Sequence, residues 1–189
     1  MPPHSDPLLE NRILDAARKL WHKNGERALT MRAVAQAAGS NTPAVYRRFR
    51  NRDELLRALV ESYQQDLFKT LEPCRSLREF AECYLDFAFS RPREYQLLMS
   101  GLLARVRKER PNLNLLLQRS AEWLGGAPED YEDLGLVLFC LAHGAVMHVL
   151  TRNIDEDESH VRKVFACGVD VLVSNARKFR GPRRARRAQ

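Results

Sequence analysis

The side chains best suited to chemistry cluster between Thr30 and Arg52, in the run TMRAVAQAAGSNTPAVYRRFRNR. They are the guanidinium groups of Arg47, Arg48 and Arg52 and the hydroxyls of Thr30, Thr42 and Tyr46. Such groups carry positive charge and donate hydrogen bonds, which suits the holding of oxyanions and polar edges. The residues between them must position them. Met31, Val34, Ala35 and Ala38 recur at three and four residues, which is one face of a helix. Thr30 stands where it can cap that helix. Gly39 supplies the left-handed conformation that closes a tight turn. Asn41 can cap a second helix over 42–49, with Pro43 tolerated in its first turn. Val45, Tyr46 and Phe49 give this helix a small inner edge, while Arg47 and Arg48 stay polar. A helix, a glycine turn and a second helix carrying arginines form the helix-turn-helix pattern that reads the DNA major groove.

The run resembles the DNA-binding domain of the tetracycline-repressor-like regulators. The matching residues are Thr30-Met31, Ala35, Ala38-Gly39, Val45-Tyr46, Phe49 and Asn51-Arg52-Asp53-Glu54-Leu55-Leu56, with Ile13, Ala16-Ala17, Leu20 and Gly25 before them. Ser40 stands where an apolar residue is usual in such proteins, and Arg48 where a histidine or tyrosine is usual. The resemblance implies an all-α, dimeric transcription factor, with a three-helix head joined by a long helix to a ligand-binding and dimerisation body. By position in the motif it assigns Thr30, Tyr46, Arg47 and Arg52 to phosphates. Base edges fall to the exposed start of the second helix, Thr42, Pro43 and Ala44, and to Arg48. Small side chains there let a helix enter the groove deeply, and Thr42 or Ala44 can touch a thymine methyl. Arg48 can pair with guanine or hold another phosphate.

The charge of the 189-residue chain is unevenly placed. Residues 1–60 hold 11 Lys+Arg against 6 Asp+Glu, residues 61–176 hold 13 against 18, and residues 177–189 hold 7 against none. A basic front (+5), an acidic middle (−5) and a basic tail (+7) suit a DNA-binding head on a body that does not bind DNA. No stretch reads as a membrane span or a secretory signal, so a cytoplasmic protein without a membrane partner is expected. The four cysteines, Cys74, Cys83, Cys140 and Cys167, form no CxxC pair and match no zinc spacing. They read as reduced thiols packing as small apolar groups, with a redox sensor of Cys74 and Cys83 as the rival. No P-loop, G-x-S-x-G, HExxH or dinucleotide-binding glycine turn is present, so no enzyme, cofactor or metal site is expected.

In chain order, residues 1–9 read as a flexible arm, 10–52 as the DNA-binding domain, 53–179 as the body and 180–189 as a basic disordered tail. Asp6-Pro7 can start a first helix ending near Lys23, with Ile13, Ala17, Leu20 and Trp21 inward. Asn51 and Glu54 form a capping box for a fourth helix that runs to about Leu71. Further helices are predicted over 76–90, 92–103, 111–124, 130–152 and 160–179, with a charged segment at 104–110 and an acidic turn at 153–159. Val161, Val164, Phe165, Val169 and Leu172 fit the two-fold interface that the resemblance implies. Tyr84, Phe87, Tyr95, Met99, Trp123, Phe139, His143 and Met147 are the candidate ligand pocket, suited to an apolar or aromatic inducer. Each of these also fits plain core packing, and His143 and His148 are poorly spaced to share a metal. The expected function is therefore a repressor on a palindromic operator, released by a small ligand. The alternatives are a ligand-responsive activator, or a non-specific binder driven by the tail RRARRAQ.

Overall fold

Side-chain caps fix where most helices begin. Thr30 Oγ1 accepts the Ala33 N–H at 3.1 Å and starts α2, Met31–Ala37. Asn41 Oδ1 accepts the Ala44 N–H at 2.9 Å and starts α3, Thr42–Arg48. Asn51 Oδ1 accepts the Glu54 N–H at 2.9 Å at the head of α4, Arg52–Leu71. The Glu54 carboxylate reaches back, to the Arg50 N–H at 2.5 Å rather than to that of Asn51. The same device starts α5, Leu77–Ser90: Ser76 Oγ accepts from Glu79 N, and Glu79 accepts from Arg75 N at 2.7 Å. Each such cap is worth about 1 kcal/mol, because it satisfies an otherwise orphaned N–H.

The computed structural model describes residues 7–100, 110–152 and 157–180. Among these, every regular element is a helix or a 3-10 turn, so the expected all-α fold holds. The remaining elements are α1 (Pro7–Asn24), α6 (Pro92–Met99), α7 (Pro111–Leu124), α8 (Glu132–Thr151) and α9 (Glu158–Ser174), with 3-10 turns at Gly25–Ala28, Pro128–Tyr131 and Ala176–Phe179. Asp157 caps α9 through the His160 N–H, so this helix starts two residues before the predicted 160. Of the expected arm at 1–9, Pro7, Leu8 and Leu9 belong to α1, while residues 1–6, the charged segment at 104–109 with the end of the 92–103 helix, the acidic turn at 153–156 and the tail at 181–189 lie outside the described residues.

The chain forms two compact units. The first runs to Gln64 and resumes at Arg93. Its buried side chains include Ile13, Ala17, Leu29, Val34, Val45, Leu55, Leu59 and Tyr63. Fully burying a Leu or Ile stabilises by roughly 1.5–3 kcal/mol. Two hydrogen bonds staple α6 to the end of α1: the Trp21 indole donates to the Arg93 carbonyl at 3.0 Å, and the Arg93 guanidinium donates to the His22 carbonyl. The division of the chain thus falls inside α4, and α6 from Arg93 onward goes with the head, whereas the sequence reading divides the chain at residue 52.

The second unit holds Gln65–Pro92 and the chain described from Arg110 onward. Here α5 packs against α7, α8 and α9, burying Phe80, Leu85, Leu116, Leu134, Val146 and Phe165. Gly168 brings α9 close to α8, since a Cβ there would stand 3.1 Å from Leu141 Cδ2. Arg78 bridges α5 to Asp170 on α9, and Arg162 bridges α9 to Asp86 on α5 at 2.6 Å. These exposed pairs add about 0–1 kcal/mol each. By length and composition the stretch 128–151 is apolar enough to cross a membrane, contrary to the sequence expectation, and 28% of its most apolar part is buried. Its buried side, Leu134, Leu138, Ala142 and Val146, recurs every four residues, as in a bundle helix with one covered face.

Candidate nucleic-acid interface

The turn between α2 and α3 closes by two backbone bonds. Ser40 N–H donates to the Ala35 carbonyl at 2.9 Å, and Gly39 N–H donates to that of Gln36 at 3.2 Å. This is a Schellman end, with Gly39 at φ 63° in the left-handed region that side chains resist. Val34, Ala35, Val45 and Phe49 are buried, and α2 packs against both α1 and α3. The outer side of α3 is left to polar groups. Asn41, Pro43, Tyr46 and Arg47 are exposed, and Thr42 and Arg48 are half-buried.

Several expected roles shift with this geometry. Ala44 is 5% exposed, so it packs inward and is withdrawn from the bases. Tyr46, read as part of the inner edge, is instead 50% exposed and stands among the polar groups. Arg52 turns into its own unit. Its Nε–H donates to the Leu29 carbonyl at 2.7 Å, and Nη2 donates to the Glu26 carbonyl at 3.0 Å and to Glu26 Oε1 at 3.1 Å. The reason is local: a guanidinium fork reaches the Leu29 carbonyl at the end of the 3-10 turn together with the Glu26 carbonyl, which also accepts the Leu29 N–H at 3.1 Å. Thr30 uses its oxygen as an acceptor in the cap, which leaves the hydroxyl proton to be donated outward. Two exposed cations were not singled out from the sequence, Arg32 on α2 and Arg50 after α3. Their signal was their position off the apolar stripe of Met31, Val34 and Phe49.

The expected ligand-pocket residues divide between the two units. Tyr95 is buried and Met99 half-buried in the first unit. Tyr84 and Trp123 are half-buried and Phe87 is buried, all in the second. Trp123 lies under the Arg119 guanidinium at 6.0 Å. Phe139 is 41% exposed and stacks on His143 with centroids 5.8 Å apart; with Met147 one turn on, they follow an outer stripe of α8. Of these residues, Phe87 lines a surface groove of about 560 Å³, shared with Thr70, Phe89, Arg91, Glu158 and Arg162. Among the described residues no group of three or more His, Cys, Asp and Glu is placed to hold a metal.

The expected interface residues divide into two faces of α9. Val161, Phe165 and Val169 are buried in the second unit and are not available to a partner. Val164 points outward at 58% exposure, joined by Val171 at 57%, and Leu172 is half-buried. Leu136 (60%), Val137 and Phe139 are exposed on α8. Isolated exposed apolar residues are ordinary, but a set on two adjacent helices is an unpartnered face.

Residues 13–59 match the family model described as bacterial regulatory proteins, tetR family. A curated relative, an uncharacterised helix-turn-helix-type transcriptional regulator, YvkB, of Bacillus subtilis (strain 168), is 36% identical over 61 residues, so the match spans 32% of this chain and 32% of that relative's length. A solved protein of unknown function from Rhodococcus sp. RHA1 superposes with a TM-score of 0.71 at 21% identity, covering 93% of this chain and 98% of that one. A TetR variant from Acinetobacter baumannii AYE in complex with minocycline gives a TM-score of 0.65 at 21% identity, covering 90% and 97%.

Proposed function

From the match of residues 13–59 to the tetR-family model and the fold shared with TetR, we propose that the chain is a TetR-like, homodimeric repressor of a palindromic operator, released by a small apolar or aromatic ligand. The observation that carries this reading is the outer side of α3, which carries Thr42, Pro43, Tyr46, Arg47 and Arg48 on a head whose turn and caps are rigidly built. Thr42, Pro43 and Arg48 read base edges, while Thr30, Tyr46 and Arg47, with Arg32, hold phosphates. Arg52 acts from behind, by fixing the 3-10 turn and the start of α4.

The bare face of α8 and α9 supports dimerisation. Leu136, Val137, Phe139, Val164 and Val171 meet their copies across a two-fold axis, which sets two heads on half-sites about 34–36 Å apart. A ligand held in the second unit by side chains such as Tyr84, Phe87 and Trp123 shifts the heads off this spacing. Coupling of this kind is reciprocal, so DNA weakens the ligand as much as the ligand weakens DNA. The neighbour solved in complex with minocycline supports a small-molecule role for this chain.

The test is selection of retained sequences from random double-stranded DNA at moderate salt, using the full chain. An enriched palindrome is expected, and ligands are then screened for release from it. Retention of all sequences alike, lost when residues 181–189 are removed, would leave the tail as the binder and end this reading.

A further inference from the structure

Four consecutive residues, Phe49 to Arg52, make the corner between α3 and α4, and each has a different task. Phe49 ends α3 in an extended conformation, φ −129° and ψ 112°, with its ring buried. Asn51 caps α4 through the Glu54 N–H at 2.9 Å. Arg52 turns its guanidinium inward, to the Leu29 and Glu26 carbonyls and the Glu26 carboxylate. Arg50 lies between the two caps and is exposed. Successive side chains of an extended segment point to opposite sides, so the burial of Phe49 sends Arg50 outward. The backbone under it is fixed, because the Arg50 N–H donates to Glu54 Oε2 at 2.5 Å. Among the described residues its guanidinium makes no hydrogen bond or ion pair.

The two arginines of this corner are thus used differently. Arg52 is consumed by the head's own framework, and Arg50 stands outside it on an anchored base. Residues 47–54 carry Arg47, Arg48, Arg50 and Arg52 against Asp53 and Glu54, so the corner continues the cationic side of α3. A guanidinium is a planar fork of donors that matches a phosphate in a bidentate pair. Anchoring the backbone beneath such a fork lowers the freedom lost when it binds.

We propose that Arg50 is the phosphate contact of the α3–α4 corner, in place of Arg52. It holds the DNA backbone beside the half-site that α3 reads, and it carries no sequence preference of its own. This rests on the operator-binding reading above.

The experiment measures affinity of the full chain for its selected operator and for random duplex, from about 50 to 200 mM salt. Arg50→Ala is expected to weaken operator binding by roughly tenfold or more at the low-salt end. On both DNAs the plot of log affinity against log salt becomes shallower by about 0.9 for each bound head. Arg50→Lys keeps the charge and should keep the slope, and both variants should select the parent's operator. The melting temperature of Arg50→Ala should match that of the parent, because the lost group bonds to nothing in the head. Arg52→Met is the reverse case, with a lower melting temperature and an unchanged slope. Parental slope and affinity in Arg50→Ala would overturn the proposal. So would a lost preference at one base pair per half-site with the slope intact, which would make Arg50 a base reader. A shallower slope in Arg52→Met alone would return the phosphate to that residue. A parent chain that selects no palindrome ends the repressor reading only, because the slope on random duplex still reports the contact.

Discussion

Two surfaces of this protein are left uncovered by the described residues, and they are built in opposite ways. The outer side of α3 is polar and cationic, with Pro43, Tyr46 and Arg47 standing out from a capped, glycine-turned scaffold. The outer side of α8 and α9 is apolar, with Leu136, Phe139, Val164 and Val171 left uncovered. Water solvates the first well, so exposure there costs little and the surface waits for a charged ligand. Water solvates the second badly, so exposure there favours association with another apolar surface. A chain that carries both is suited to holding two copies of a DNA reader together.

The largest effect should come from breaking the apolar surface. Leu136→Glu with Val164→Glu places charges on a face meant to be covered. Sedimentation should show monomers, and operator affinity should fall by roughly a hundredfold or more through loss of the second head. A double variant that stays dimeric would mean that these helices are not the interface. The two surfaces also part under salt. Operator binding should weaken steeply as salt rises, through counterion release, while dimerisation should hold or tighten.

Next in size is Arg48→Ala. If Arg48 pairs with guanine, the variant loses about 1–3 kcal/mol of preference at one base pair in each half-site. Equal weakening on every sequence would make it a phosphate contact instead. Gly39→Ala should cost about 1 kcal/mol in thermal unfolding, because φ is 63° and only backbone strain is at issue: nothing lies within 4 Å of the added methyl. Gly39→Asn should cost less, and equal losses for the two would show that strain is not the cause. Thr30→Ala should be of similar size or smaller. It removes one cap of about 1 kcal/mol from α2, and a variant with the melting temperature of the parent would show that the cap is idle.

The head was legible because its determinants are local. Thr30, Gly39, Asn41 and Asn51 act on backbone groups within a few residues of themselves, so their type and position suffice. Ala44 and Tyr46 were placed on the wrong sides because a seven-residue helix has too few apolar positions to fix its orientation. The body was legible as helices but not as surfaces. Along α9, Val161, Phe165 and Val169 form one apolar stripe and Val164 and Val171 another. Periodicity reveals both, and only packing against α5 and α8 decides which is covered. The same holds for α8, where Phe139, His143 and Met147 read as pocket residues but follow an outer stripe.

The staple between Trp21 and Arg93 has a consequence for how the protein is made. The head needs a segment that the ribosome delivers only after α5, a stretch that belongs to the other unit. At synthesis rates of about 5–20 residues per second, roughly two to seven seconds separate the emergence of Gln64 from that of Met99. During that interval the nascent head stands without its last helix, so its completion is timed by translation rather than by its own folding rate. A fragment cut at residue 64 would reproduce this unfinished species permanently.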